Sequence, residues 1–250
     1  MRATSWESNK MKRKALLIGN SNGLSGVARD LNKMKNFLLS NIGGAWENDE
    51  ITLLPRSTKE QLNTAIRSIK YGSVDFCIVY FSGHGGYKRE TILQLADNSE
   101  ISENSLVGLS SRQITIFDCC RSVSPEITED RLSASFESFS ENYRELYRNI
   151  YNIRILQSIP QQIRLYSCSI GEYSNDTSTG GVYTNALMEA VKRFSIVGQI
   201  HNTACNIIEN NWNYGKTKDE QQHPDAVLPK CLIDKQLILS LADQLNKSNW

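Results

Sequence analysis

The stretch DFCIVYFSGHGG, residues 75–86, decides how the chain is read. From Phe76 to Phe81 it is apolar without a break, which suits a strand buried on both faces. The run stops at Ser82, and His84 follows between glycines. Three other runs have the same character: KALLIG (14–19), RQITIFDCC (112–120) and QIRLYSCS (162–169). None alternates as a strand with one wet face would, so the set predicts parallel strands covered on both sides.

Helical patterns fill the intervals. DLNKMKNFLLSNIG (30–43) spaces Leu31, Met34, Phe37 and Leu38 along one face, and Gly43 supplies a stop. STKEQLNTAIRSI (57–69) opens on Ser57 with Glu60 three residues later, a capping box, and then carries Leu62, Ala65, Ile66 and Ile69 on one face. TNALMEAVKRF (184–194) repeats the pattern after Gly180 and Gly181. Strands alternating with helices define an α/β class with a mostly parallel sheet. Between Ser122 and Gln162 the chain turns polar, with no strand evident and room for a helix near Tyr143 to Ile153. The expected organisation is an N-terminal extension (1–13) and a single domain (14–250). The domain divides into a larger half (14–122), a linker or insertion (123–161) and a smaller half (162–250).

Composition narrows the function. A chain of 250 residues can bury one sizeable core. Net charge is +1, from 28 basic and 27 acidic residues, so neither nucleic acid nor an acidic membrane is an expected partner. No apolar run approaches a membrane span, and the polar start MRATSWESNKMKRK does not read as a secretory leader. A soluble, cytoplasmic protein is expected. Without a leader, the six cysteines are not expected to form disulfides. No CxxC occurs, and His84, His201 and His223 lie in unrelated contexts, so no metal site is expected. Cys77, inside FCIVYF, reads as a small core residue.

Ligands of open parallel sheets bind beyond the carboxyl ends of the strands. FSGHGG and DCCRS stand at two such ends. A thiol and an imidazole brought together there can act as nucleophile and base, and the reactive species is the thiolate. Side chains alternate along a strand. Asp118 and Cys120 therefore share one side while Cys119 faces packing, which selects Cys120 as nucleophile and sets a carboxylate beside it.

These residues resemble the caspase-like cysteine peptidases, in particular the metacaspase and paracaspase (orthocaspase-like) branch. The carriers are KALLIGN, GLSGVARDLNKMKNFL, IVYFSGHGG, ITIFDCCRS, LYSCSIGE and GGVYTNAL, from about Lys14 to the C-terminus. The resemblance implies an open, mostly parallel six-stranded sheet with helices on both faces. It implies a His84–Cys120 dyad, an oxyanion hole from the amides of Gly85 and Cys120, and no cofactor, with Ca2+ activation as in several members. It also implies cleavage of protein or peptide substrates after Arg or Lys, with Asp30, Asp118 and Glu172 as substrate-binding acids. Glu126, Glu129 and Asp130 could hold a cation, but a solvated loop accounts for them better. The arginines of the linker, Arg131, Arg144, Arg148 and Arg154, offer sites for self-processing. A regulatory protein partner fits the family, and the oligomeric state is open. Two departures concern the pocket: Arg121-Ser122-Val123 replaces the usual His-Ser-Gly, and Arg29 replaces the usual Asn. The other readings are an Asp-specific protease of the same fold and a non-catalytic interaction module.

Overall fold

The computed structural model describes residues 11–122 and 143–245. In chain order the elements are β1 (Arg13–Gly19), α1 (Val27–Leu39), β2 (Ile51–Leu54), α2 (Lys59–Tyr71) and β3 (Phe76–Ser82). Next come the short strands β4 (Gly85–Tyr87), β5 (Thr91–Gln94) and β6 (Glu100–Ser102), then β7 (Arg112–Asp118), α3 (Arg144–Gln157) and β8 (Gln161–Tyr166). A hairpin of β9 (Asp176–Thr177) and β10 (Gly180–Gly181) leads into α4 (Val182–Ala190) and α5 (Val197–Asn211), followed by β11 (Asp225–Val227) and α6 (Ala242–Leu245).

Six strands form the central sheet in the order β11-β8-β7-β3-β1-β2. All neighbours are parallel except β11, which runs antiparallel to β8 at one edge. The register sorts the apolar runs into two layers. Leu17, Tyr80, Ile116 and Leu165 are successive partners and face the core beneath α1, α3, α4 and α5. Their neighbours Ile18, Phe81, Phe117 and Tyr166 face the opposite core, under α2 and the small antiparallel sheet β4-β5-β6. Each fully buried Leu, Ile or Phe in these layers stabilises the fold by roughly 1.5–3 kcal/mol. Helices thus lie on both faces, but on one of them α2 shares the cover with a three-stranded sheet.

Three details differ from the sequence reading. The helix after residue 57 is capped by Thr58 with Gln61, not by Ser57 with Glu60. Ser57 is fully buried, its amide bonded to the Gly19 carbonyl, so it belongs to the preceding connection. The segment assigned to a linker holds α3, whose Tyr151 and Ile155 are fully buried, so residues 144–157 are part of the core. Arg148 and Arg144, offered as self-processing sites, are committed elsewhere. Arg148 shares Glu50 with the fully buried Arg13, with Arg148 Nη1 2.8 Å and Arg13 Nε 3.2 Å from Glu50 Oε2. Arg13 also lies over the Trp46 ring at 4.6 Å, and burial lowers its pKa to about 10. Arg144 donates to the carbonyls of Leu39 and Trp46. Arg131 and the acids Glu126, Glu129 and Asp130 lie outside the described residues.

Candidate active site

The alternation that sorts the core also builds the site. Two residues beyond the layer Leu17–Tyr80–Ile116, on the same face, the register places Gly19, Ser82 and Asp118 at the carboxyl edge. Beyond them the strands splay into loops, and a cavity of about 640 Å3 opens over α1 and the hairpin β9-β10. His84, Cys120, Asp30, Asp118 and Asp176 line it together. Cys119 is almost wholly buried and packs in the opposite core with Phe117 and Tyr166.

His84 Nε2 lies 2.5 Å from the Asn22 carbonyl. A carbonyl only accepts, so Nε2 carries the proton, and Nδ1 is the acceptor nitrogen of the neutral ring. The carbonyl is held by its own turn. Asn20 Nδ2 donates to the Gln94 carbonyl (3.0 Å), the Asn22 amide donates to Asn20 Oδ1 (3.2 Å), and Asn22 Nδ2 donates to Ala96 (3.2 Å). Gly83 (φ +152°) makes this approach feasible, because a Cβ there would lie 2.9 Å from Asn20 Cβ. Gly85 abuts Cys119 and Cys120 in the same way: a Cβ would lie 2.8 Å from Cys119 Sγ and 2.9 Å from the Cys120 carbonyl oxygen. The backbone of Gly85 thus runs directly against that of Cys120.

The Cys120 thiol donates to the Ser174 carbonyl at 3.6 Å. Burial, with a contribution from Asp118, pushes its pKa up, so it rests as a thiol. Nucleophilic attack from this state needs a base to take the proton as the bond forms.

Three carboxylates occupy the inner wall. Asp118 Oδ2 accepts from the Thr184 amide (3.1 Å) and hydroxyl (2.6 Å), and Oδ1 accepts from Ser174 Oγ (2.7 Å). Asp30 accepts from the Gly181 amide at 3.0 Å and from Ser82 Oγ at 3.1 Å. Asp176 Oδ2 accepts from the Gly26 amide at 2.9 Å, while its buried Oδ1 has no hydrogen-bond partner among the described residues. A Cβ on Gly26 would overlap Asp176, and Cβ atoms on Gly180 and Gly181 would overlap Asp30 and Asp118. Burial raises all three pKa values; for Asp30 the second cause is the charge of Asp118. Lys33 Nζ bonds to the Thr179 carbonyl and Asn185 Oδ1, near Asp30, and burial lowers its pKa.

Glu172 does not join this wall, correcting its assignment as a pocket acid. Its carboxylate accepts from His223 Nδ1 and the His223 amide, both at 2.8 Å, and from the Ser169 amide at 3.2 Å, which turns it to the outside of the loop. Asp176, four residues on, lies in the wall instead. Arg29 is half-buried beside Asp176, whose charge it partly offsets. All six cysteines are free. Among the described residues no group of three His, Cys, Asp or Glu side chains is placed to hold a metal ion. Among them, too, no helix is long and apolar enough to cross a membrane.

A cysteine and a histidine at the carboxyl ends of neighbouring parallel strands, on a sheet of this order, make a caspase-like cysteine peptidase domain. The chain belongs to the caspase domain family, whose profile matches residues 12–228. Among solved structures it is similar to caspase-1 from Spodoptera frugiperda, at 14% identity and a TM-score of 0.55, covering 87% of this chain and 86% of that one. It is also similar to a protein from Geobacter sulfurreducens, at 14% identity and a TM-score of 0.58, covering 90% and 97%. At such identities the likeness concerns the fold. No curated protein matches the chain.

Proposed function

We propose that the chain is a cysteine endopeptidase that cuts proteins after Arg or Lys, using Cys120 and His84. The observation that carries the specificity is the wall of Asp30, Asp118 and Asp176, in the cavity that also holds Cys120 and His84. Buried carboxylates with raised pKa values and an unmatched acceptor at Asp176 Oδ1 favour a cationic occupant. A guanidinium brings five donors and a permanent charge. An Asp side chain in the same place would add a fourth carboxylate, which argues against the Asp-specific reading.

The chemistry follows from the proton inventory. Cys120 attacks the carbonyl carbon of the bond after the basic residue. His84 Nδ1 takes the thiol proton and returns it to the departing amine, while Nε2 stays bonded to Asn22. The amides of Gly85 and Cys120 receive the oxyanion, and water releases the acyl-enzyme. The Asn22 carbonyl orients the imidazole as a carboxylate would in a triad. Self-processing would fall on Arg131, since Arg144, Arg148 and Arg154 all lie in α3, with the guanidinium groups of Arg144 and Arg148 engaged.

A positional peptide library, with and without Ca2+, tests this reading. Cleavage after Arg or Lys, abolished in Cys120→Ala, is expected. Cleavage only after Asp, or full activity in Cys120→Ala, would overturn it, and an inert chain would favour the non-catalytic module.

A further inference from the structure

Arg121 and Glu172 are charged residues beside the site, and neither side chain belongs to the dyad or the pocket. Their backbones pair: the Arg121 amide donates to the Glu172 carbonyl (3.0 Å), and the Gly171 amide donates to the Arg121 carbonyl (2.9 Å). Their side chains run to one place. Arg121 is 5% exposed and stacks on the Tyr166 ring at 4.0 Å. It donates to Thr91 Oγ1 (3.2 Å) and the Cys168 carbonyl (3.2 Å), and Nη1 reaches Asp225 Oδ2 at 3.4 Å. Glu172 reaches the side chain and amide of His223, and Ser169 Oγ donates to the His223 carbonyl at 2.9 Å. Both grips end within three residues at the start of β11, the edge strand of the sheet.

The other ends of the two grips lie at different parts of the chemistry. Arg121 follows Cys120 directly. Glu172 precedes Ser174 by two residues, and the Ser174 hydroxyl holds Asp118 while its carbonyl receives the Cys120 thiol. We infer that residues 223–225 act as a two-pronged latch, in which Arg121 positions the nucleophile and Glu172 positions the basic-residue pocket. The inference rests on the proposed peptidase reading and adds to it that the sheet edge sets nucleophile and pocket through separate contacts. A buried guanidinium is costly to leave unmatched, so Arg121 shifts when Asp225 loses its charge.

The test uses the full chain with Asp225→Asn and Glu172→Gln. Three readouts are taken: the rate of Cys120 alkylation by iodoacetamide, read by mass spectrometry, kcat and KM on an Arg peptide, and Tm. A displacement of the nucleophile of well under 1 Å should lower kcat and the alkylation rate of Asp225→Asn by about tenfold, with KM nearly unchanged. Glu172→Gln should instead raise KM by about tenfold, with a much smaller change in kcat and in alkylation, which it reaches only through the Ser174 carbonyl. Asp225→Glu should restore most of the alkylation rate. Equal losses in kcat and KM that track a fall in Tm would reduce both residues to structural supports and sink the latch, as would no change in either variant. Should the wild-type chain cut no Arg peptide, the peptidase reading fails, while the alkylation rates of Asp225→Asn and Asp225→Glu still decide the Arg121 prong.

Discussion

Asp118→Asn is the sharpest probe of the acidic pocket, because it removes a charge and little else. The amide is isosteric. Its oxygen can still accept from the Thr184 amide and hydroxyl, and its nitrogen can donate to Ser174 Oγ, so the three hydrogen bonds now made by Asp118 are retained. What disappears is the charged partner of a substrate guanidinium. A hydrogen bond to a charged group contributes about 1.5–3 kcal/mol, and 1.4 kcal/mol is tenfold in an equilibrium. The kcat/KM for an Arg peptide should therefore fall about 10- to 100-fold. The loss stays at that level because Asp30 and Asp176 remain in the wall. The assay is the kcat/KM ratio of Arg to neutral P1 peptides, with Tm measured in parallel. Retention of the wild-type ratio within about twofold, in a variant that melts normally, would show that the pocket does not hold a basic side chain.

Further outcomes follow from the same wall and from the core. Removing the Asp118 charge lowers the cost of ionising Cys120, so the pH profile of Cys120 alkylation should move to lower pH in Asp118→Asn; an unmoved or opposite profile contradicts the stated coupling. Burial raises Asp30, Asp118 and Asp176, so the folded chain holds protons there that the unfolded chain has already released. Their contribution to stability is full below the ordinary carboxylate range and is lost as pH rises through the raised values. Melting curves of the empty protein across that window should show the decline, and Asp118→Asn should flatten it. Glu50, held below its usual value chiefly by Arg148, acts oppositely, its contribution vanishing as pH falls below that window. Glu50→Ala leaves the buried Arg13 without its carboxylate partner and should cost about 3–5 kcal/mol in urea unfolding; a loss under 1 kcal/mol would refute that role. Gly181→Ala forces a methyl into Asp118 and should abolish Arg-peptide cleavage, and retained activity would show that the hairpin yields.

What the sequence reveals follows burial. The four central strands are legible because both faces are covered, so their runs are apolar throughout. β2 and β11 are edge strands of four and three residues, and their half-exposed residues leave no such run. The capping box slipped by one position because Ser57 and Thr58 both suit an N-cap, and only the burial of Ser57 separates them. At the site, Asp118 and Cys120 both line the cavity, and Cys119, which also reaches its lining, is almost wholly buried. Asp176 escaped notice because the loop from Ser167 to Thr179 has no period from which to read a direction. Its signal was available in Gly26, where a Cβ would collide with the Asp176 carboxylate. Asn22 acts through its carbonyl, which any residue type could supply, so side-chain chemistry could not single it out.

The pairing of β7 with β8 has a consequence for a chain broken between them. The two strands are adjacent and in register over six residue pairs, although about forty residues separate them in sequence. On the far side, α3 is fastened to the first half through Glu50 and the carbonyls of Leu39 and Trp46. Severing the connection therefore leaves the pairing of β7 with β8 and the fastening of α3 in place. The fragments share a sheet and two cores, so they should behave as a tight non-covalent heterodimer and be able to reassemble when produced separately. Ser122, two residues past Cys120, stays held on its own, since the Tyr87 amide donates to its carbonyl at 3.1 Å.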